Sequence, residues 1–142
     1  MKAGVASPQG VAIQDVPQPK PKPTDILVKI KAIALNRADL GSARGDTSHG
    51  AAAGKPVGSE FSGEVLEVGS EVHDFKVGDR VVVPFTIACG SCYHCGKHQY
   101  SGCENGNPAD NQDIARELYG HPMSALFGYS HMTGGYAGGQ AE

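Results

Sequence analysis

All four cysteines of this 142-residue chain fall between positions 89 and 103, at Cys89, Cys92, Cys95 and Cys103. The spacing is C-x2-C-x2-C-x7-C, opening as Cys89-Gly90-Ser91-Cys92-Tyr93-His94-Cys95. A closed tetrahedral zinc site needs four soft or borderline ligands converging on one point, and four thiolates supply that. The short gaps let tight turns aim the first three sulfurs inward, with Gly90, Gly96 and Gly102 expected to ease those turns. The seven-residue gap lets the chain loop round to close the fourth corner.

Three chemistries compete for these residues. A disulfide framework belongs to a secreted context, for which the chain offers no sign. A redox pair calls for one C-x-x-C on a strand-to-helix turn, whereas two overlap here and a fourth cysteine follows. Structural zinc uses all four at once and is the reading carried forward. His94 and His98 lie inside the lobe, but four thiolates already fill the shell, so both are expected to be solvated neighbours.

The length suits one domain with its own core. Its 20 glycines and 9 prolines point to a loop-rich β protein without reaching the fraction typical of disorder. A net charge of −3 with no block of Lys or Arg argues against nucleic acid and anionic membrane as partners. Met1-Lys2-Ala3-Gly4 opens no apolar run of signal length, and no window approaches a membrane span. The expectation is a cytoplasmic protein whose thiols stay reduced and available to metal.

Along the chain, residues 1–17 read as two strands around Ser7-Pro8-Gln9-Gly10, with Val11, Ile13 and Val16 as the apolar positions. The prolines from Pro17 to Pro23 form a stiff spacer. Asp25 to Ala34 is the clearest strand: Ile26, Val28 and Ile30 alternate with Lys29 and Lys31, one core face and one wet face. Asn36 to Ala43 reads as a short helix or turn, and residues 45–54 as loop. Gly63 to Gly69 is a strand, and Val77-Gly78-Asp79 turns into the β-branched run Val81-Val82-Val83, which suits a buried strand. After the lobe, Asp110 to Leu118 reads as a helix with Asp110 as N-cap, Ile114 and Leu118 on one face and Gly120 beyond its end. The glycine-dense ending from Phe127 reads as a turn-rich surface or an approach to a further strand. His49, His73, His121 and His131 are not paired at ligand spacing.

These stretches resemble the N-terminal GroES-like domain of the medium-chain, zinc-type alcohol dehydrogenase superfamily. The resemblance is carried by the Gly58-Ser59-Glu60-x-x-Gly63 to Val77-Gly78-Asp79-Arg80-Val81 segment, by the cysteine lobe, and by Gly134-Gly135-Tyr136-Ala137, which looks like the family's return to the barrel. It implies a mainly β fold: one GroES-like, partly open barrel over residues 1–142, with short helices and a zinc lobe at about residues 85–107. It also implies that Cys89, Cys92, Cys95 and Cys103 carry structural zinc.

Departures from the family pattern bear on activity. Where the family places catalytic-zinc ligands in C-x-x-D and G-H-E, this chain has Asn36-Arg37-Ala38-Asp39 and Gly58-Ser59-Glu60. Amide and hydroxyl groups are poor replacements for thiolate and imidazole on zinc. The catalytic candidates are therefore Asn36, Ser59 and Glu60, standing at positions where that metal site would be. Both motifs are similar to the zinc-free quinone oxidoreductase branch, whereas the stretch from about Val83 onward is similar to glutathione-independent formaldehyde dehydrogenase. The chain reads as a chimera of two branches, natural or assembled.

The resemblance also implies a nicotinamide cofactor on a Rossmann domain, marked by G-x-G-x-x-G after a strand. That motif is missing, since Gly134 to Gly139 has the wrong spacing. NAD(P) is thus expected only if the chain is joined to such a domain. The functional expectation is half of an oxidoreductase, inactive alone, whose partners are the Rossmann domain and a small carbonyl, quinone or enone. The alternative is a non-enzymatic, zinc-stabilised β module that binds, scaffolds or forms homo-oligomers. A zinc ribbon on nucleic acid is set aside, because Lys97 is the one Lys or Arg between residues 85 and 107.

Overall fold

The two-residue link Pro8-Gln9 joins β1 (Lys2–Ser7) to β2 (Gly10–Asp15) as an antiparallel hairpin, with Ser7 paired to Gly10 and Lys2 to Asp15. The Ser7 hydroxyl donates to the Gly10 carbonyl at 2.9 Å and accepts from the Gln9 N–H at 3.2 Å, closing the turn. The computed structural model describes residues 1–45 and 51–142. His49 and the middle of the expected 45–54 loop lie outside the described residues.

The hairpin forms where the sequence places it, but its burial is reversed. Val11 is 37% and Ile13 72% exposed, while the small residues Ala3, Val5 and Ala6 of β1 are buried. The reason is that β1 is hydrogen-bonded on both edges. The Gly4 N–H donates to the Gln140 carbonyl and the Gly4 carbonyl accepts the Val57 N–H, both at 2.9 Å, and the Ala6 N–H donates to the Lys55 carbonyl at 3.0 Å. β2 is left at the rim. Ala6, Ala51 and Val57 form the packed centre beneath β1.

A second ladder runs β3 (Ile26–Ile33), β4 (Phe61–Val68), β5 (Arg80–Val83), all antiparallel. The expected alternation along β3 is interrupted: Leu27 is the buried residue, and Ile26, Val28 and Ile30 are half-buried. The register shifts between Leu27 and Val28, where Leu66 is the extra residue of β4, and again between Ile30 and Ala32, where Lys31 is the extra residue of β3. Among the described residues β5 pairs only with β4, so it is an edge strand and not a buried one, and Val82 is 82% exposed. In the middle strand, a side chain at Gly63 would collide with the Lys29 carbonyl across the ladder. The proline spacer is tied to the far end of β4 by Gly69 N–H to Asp25 and Glu71 N–H to Pro23, both at 2.8 Å.

α1 (Arg37–Ala43) follows β3. A third ladder, β6 (Thr86–Ile87) on β7 (Ala125–Leu126), brackets the cysteine lobe, which carries the single turn α2 (Tyr93–Gly96). α3 (Ala109–Tyr119) begins two positions earlier than Asp110 would cap it: Pro108 is the N-cap and Asp110 lies in the first turn. Gly120 ends it in the left-handed conformation, φ 76°, as its position suggests. The face expected to be buried points outward, with Ile114 44% and Leu118 62% exposed, whereas Gln112 and Ala115 are buried.

The ending is not a free surface. Gly138, Gly139 and Gln140 donate to Pro56, Gly58 and Val57, and Glu142 N–H donates to Lys2, so the tail lies beside β1. This is the return suggested by Gly134 to Ala137. The result is mainly β, with three ladders that do not close on one another among the described residues. Among those residues no helix is long and apolar enough to cross a membrane.

Candidate functional site

The lobe leaves β6 at Ile87 and turns at Cys89-Gly90-Ser91-Cys92. Gly90 takes φ 76°, which lets the chain fold back so that Cys92 N–H points at the Cys89 sulfur, 3.4 Å away. Gly96 and Gly102 do not share that role, for neither has positive φ. His98 takes the left-handed turn instead, with φ 58°. Gly102 matters for another reason: a Cβ there would lie 3.1 Å from the His94 ring nitrogen Nδ1. α2 presents Cys95, and a short 3₁₀ turn at Tyr100–Gly102 delivers Cys103.

The four Sγ atoms converge to within 4.8 Å of one another. A tetrahedron of sulfurs at about 2.3 Å from a central zinc has edges of roughly 3.8 Å, so the set fits one ion after a small contraction. The Cys89 and Cys95 sulfurs are already 4.0 Å apart. All four are free thiols, Cys95 and Cys103 buried and Cys89 exposed. Donors reach the Cys89 sulfur from Asn105 Nδ2 at 3.4 Å and the Ser91 hydroxyl at 3.7 Å, and Cys89 N–H itself donates to the Cys103 sulfur at 3.3 Å. N–H groups aimed at sulfur are the surroundings a thiolate needs.

These contacts divide the protons unequally. The backbone N–H groups of Ser91 and Cys92, and then the Ser91 hydroxyl, pull the Cys89 thiol down to about 5. The Glu104 and Cys95 N–H groups lower Cys92. Burial, reinforced by the Cys92 thiol, pushes Cys95 up to about 12. Without a cation, four thiolates cannot share so small a volume, and a divalent metal is what lets them do so.

His94 and His98 stand beside the sulfurs without joining them: His98 Nδ1 meets the Tyr100 hydroxyl at 2.9 Å, and the His94 ring packs on Gly102. Lys97 donates to the Tyr93 hydroxyl at 2.6 Å on the outer face. His73, His121 and His131 are exposed, His121 with Nδ1 2.8 Å from the Pro122 carbonyl.

One residue that sequence reasoning passed over holds the lobe to the rest of the chain. Gln112 is 2% exposed, and its Nε2 reaches the carbonyls of Cys103 at 2.9 Å, Glu104 at 3.2 Å and Met123 at 2.9 Å. Its Oε1 accepts the Met123 N–H at 3.0 Å. The one signal available was its place four residues before Arg116, on the side of α3 away from Ile114 and Leu118.

The second candidate group assembles where the N-cap of α1 meets Glu60, the residue before β4. Asn36, the N-cap of α1, donates from Nδ2 to Glu60 Oε2 at 2.9 Å, and its N–H donates to Asp39 Oδ2 at 2.6 Å. Ala34 N–H fixes the Glu60 backbone at 3.0 Å. Ser59, 7% exposed, sits between Glu60 and the tight Gly58, whose φ is 95°. The structure thus brings Asn36 and Glu60 into direct contact and places Ser59 next in the chain, while Arg37 is exposed.

A model of the alcohol dehydrogenase GroES-like domain matches residues 22–142. The chain is 41% identical over 135 residues to an uncharacterized zinc-type alcohol dehydrogenase-like protein, AdhB, of Bacillus subtilis, covering 94% of this chain and 32% of that protein. It is 34% identical over 143 residues to the glutathione-independent formaldehyde dehydrogenase of Pseudomonas aeruginosa, covering 95% and 32%. Among solved structures, the alcohol dehydrogenase of Thermus sp. ATN1 superposes with a TM-score of 0.78 at 34% identity, covering all of this chain and 36% of that one. The chain therefore spans about a third of the length of the relatives it matches. The match to AdhB runs through both of the halves that the motifs had divided between two branches, so one continuous relative accounts for the whole stretch.

Proposed function

Since the chain belongs to the alcohol dehydrogenase GroES-like domain family, we propose that it is the substrate-side domain of a zinc-type medium-chain oxidoreductase and holds one structural zinc. The observation that carries the metal is the convergence of the Cys89, Cys92, Cys95 and Cys103 sulfurs within 4.8 Å. Zinc bound there cross-links four points of the lobe and leaves no open position for a reactant. Its uptake displaces protons, above all from Cys95, whose thiol is pushed up to about 12. Apparent zinc affinity should therefore rise with pH between about 6 and 8, by roughly one log unit per pH unit for each proton displaced. Competition against a chromophoric chelator measures this, and a flat profile would contradict it.

The substrate side is assigned to Asn36, Ser59 and Glu60. The amide of Asn36 has two N–H donors, and its bond to Glu60 uses one and fixes the plane of the other. The second N–H is the donor proposed for a carbonyl, quinone or enone oxygen that gains negative charge as hydride arrives. The nicotinamide that supplies hydride is assigned to a Rossmann domain in a longer protein, and no residue of this chain is given that task. Large exposed apolar side chains such as Leu35, at 81%, support a partner domain.

The test joins the chain to the Rossmann domain of a close relative and assays NADPH oxidation with a quinone or an aldehyde. Activity in the joined protein, reduced about 10- to 1,000-fold by Asn36→Ala, is the expected result. A second reading, a non-enzymatic zinc-stabilised module, draws on the same contacts, because the Asn36 bond to Glu60 ties the start of α1 to the residue before β4 and the bond to Asp39 caps the helix, with no chemistry. Loss of helix docking but no activity in any joined form would favour it.

A further inference from the structure

We infer that Asn105 is a modification site, deamidated through the Gly106 nitrogen when the cysteine lobe loses its metal and protected while the metal is held. The inference rests on the zinc reading above but on no catalytic role, and the reaction needs no partner beyond water. The chain has four asparagines, and the residue after each one differs: Arg37 after Asn36, Gly106 after Asn105, Pro108 after Asn107 and Gln112 after Asn111. Deamidation begins when the backbone nitrogen of the next residue attacks the asparagine Cγ, so that nitrogen must be free and its residue slim. Pro108 has no N–H to give up. The Gln112 N–H lies in α3 and donates to the Pro108 carbonyl at 3.0 Å. Arg37 opens α1 and carries a long side chain. Gly106 alone of the four has no side chain, and among the described residues its N–H donates to no backbone carbonyl.

Packing makes that glycine obligatory. Gly106 is buried, and a Cβ there would collide with the Ile87 carbonyl and lie 3.4 Å from the Cys103 sulfur. The residue after Asn105 therefore cannot gain the side chain that would slow the attack. Asn105 itself is exposed to water, and its Nδ2 donates to the Cys89 sulfur at 3.4 Å. That nitrogen is the group that must leave. While zinc fixes the Cys89 sulfur, the bond holds the amide toward the ligand set and keeps Cγ off the Gly106 nitrogen. When the metal is lost, the bond and the loop slacken together.

The chemistry needs no oxidant and no reductant. The Gly106 nitrogen gives up its proton and bonds to Cγ, the Cγ–Nδ2 bond breaks, and ammonia departs to leave a five-membered succinimide. Water then opens the ring at either carbonyl, giving aspartate or isoaspartate, so one water is consumed and one ammonia released. Either product replaces a donor facing the Cys89 sulfur with an acceptor-only carboxylate. Isoaspartate also lengthens the main chain by one atom. Losing such a hydrogen bond to a metal ligand costs about 10- to 100-fold in affinity. A lobe that has once lost its zinc thus rebinds it less well.

The full chain is incubated under reducing conditions, zinc-loaded and chelated, with conversion at each asparagine followed by peptide mass analysis and isoaspartate detected by enzymatic methylation. Asn105 should convert before the other three, and at least about tenfold faster in the chelated chain, because zinc makes the open lobe rare. Asn105→Gln, whose longer side chain cannot close the five-membered ring, should stay unconverted at that position with or without metal. Asn105→Asp should bind zinc about 10- to 100-fold more weakly by chelator competition, with an unchanged circular dichroism spectrum in saturating zinc. Equal rates in the loaded and chelated chains, conversion at Asn107 or Asn111 as fast as at Asn105, or wild-type affinity in Asn105→Asp would each overturn the inference. Elemental analysis of the fresh protein separates it from the reading beneath it: no zinc would sink both, whereas one zinc with any of those results sinks this inference alone.

Discussion

Cys103→Ser is expected to abolish stoichiometric zinc binding and to disorder the lobe while leaving the two larger ladders folded. The wild-type chain should carry one zinc, measured by elemental analysis, and the variant much less than one. Cys103 is the ligand to test because it is fully buried and its sulfur accepts the Cys89 N–H, so its loss opens both ends of the lobe. Structural zinc contributes about 10–16 kcal/mol in apparent terms, on the scale of a domain's entire net stability. The lobe has little else. Tyr93 is 63% and Tyr100 45% exposed, so apolar burial there is slight. β1, β3 and β4, by contrast, bury Val5, Leu27 and Val65 without help from the metal. Hydrogen exchange should thus show protection lost across residues 85–107 in the variant, and in the chelated wild type, with amides of β3 and β4 still protected. Unfolding of both regions together on chelation would refute the division, and unchanged zinc content in the variant would remove Cys103 from the ligand set.

What could be read in advance was what is decided over a few residues. The C-x2-C-x2-C-x7-C spacing locates the sulfurs because three turns, each made by its own neighbours, bring them together. The Ser7 to Gly10 turn and the Gly120 stop are equally local. The misreadings share one cause. Val11 and Ile13 look like core residues until the tail, more than a hundred positions later, takes the other edge of β1 and makes β2 the rim. Val81-Val82-Val83 has the composition of a buried strand, yet among the described residues only β4 pairs with it. The register of β3 on β4 slips twice, at an extra Leu66 in β4 and an extra Lys31 in β3, and nothing in the alternation of Ile26, Val28 and Ile30 announces it. In the candidate site, Asn36 and Glu60 were legible as residues but their mutual bond was not, since it spans 24 positions.

Gln112→Leu is expected to cost about 3–5 kcal/mol. Leucine is apolar, only one atom shorter than glutamine, and has a helix propensity at least as good, so α3 itself should not suffer. What it removes is, among the described residues, the only side chain that bonds the Cys103, Glu104 and Met123 carbonyls and the Met123 N–H together. Each buried polar group left unpaired costs about 1–3 kcal/mol, and the carbonyls that find water recover part of it. The same bonds clamp the exit of the lobe to the strand entering β7, so the damage should reach the metal. Denaturant titration gives the loss of stability, and chelator competition should show zinc released faster from the variant than from the wild type. Gln112→Glu separates the two halves of the effect: it keeps an acceptor for Met123 N–H but sets an ionised carboxylate against three carbonyls, so it should be worse than leucine at neutral pH and improve as the pH falls and the group takes up a proton. A leucine variant as stable as the wild type, with zinc retained at the same rate, would show that the lobe is held by the metal alone.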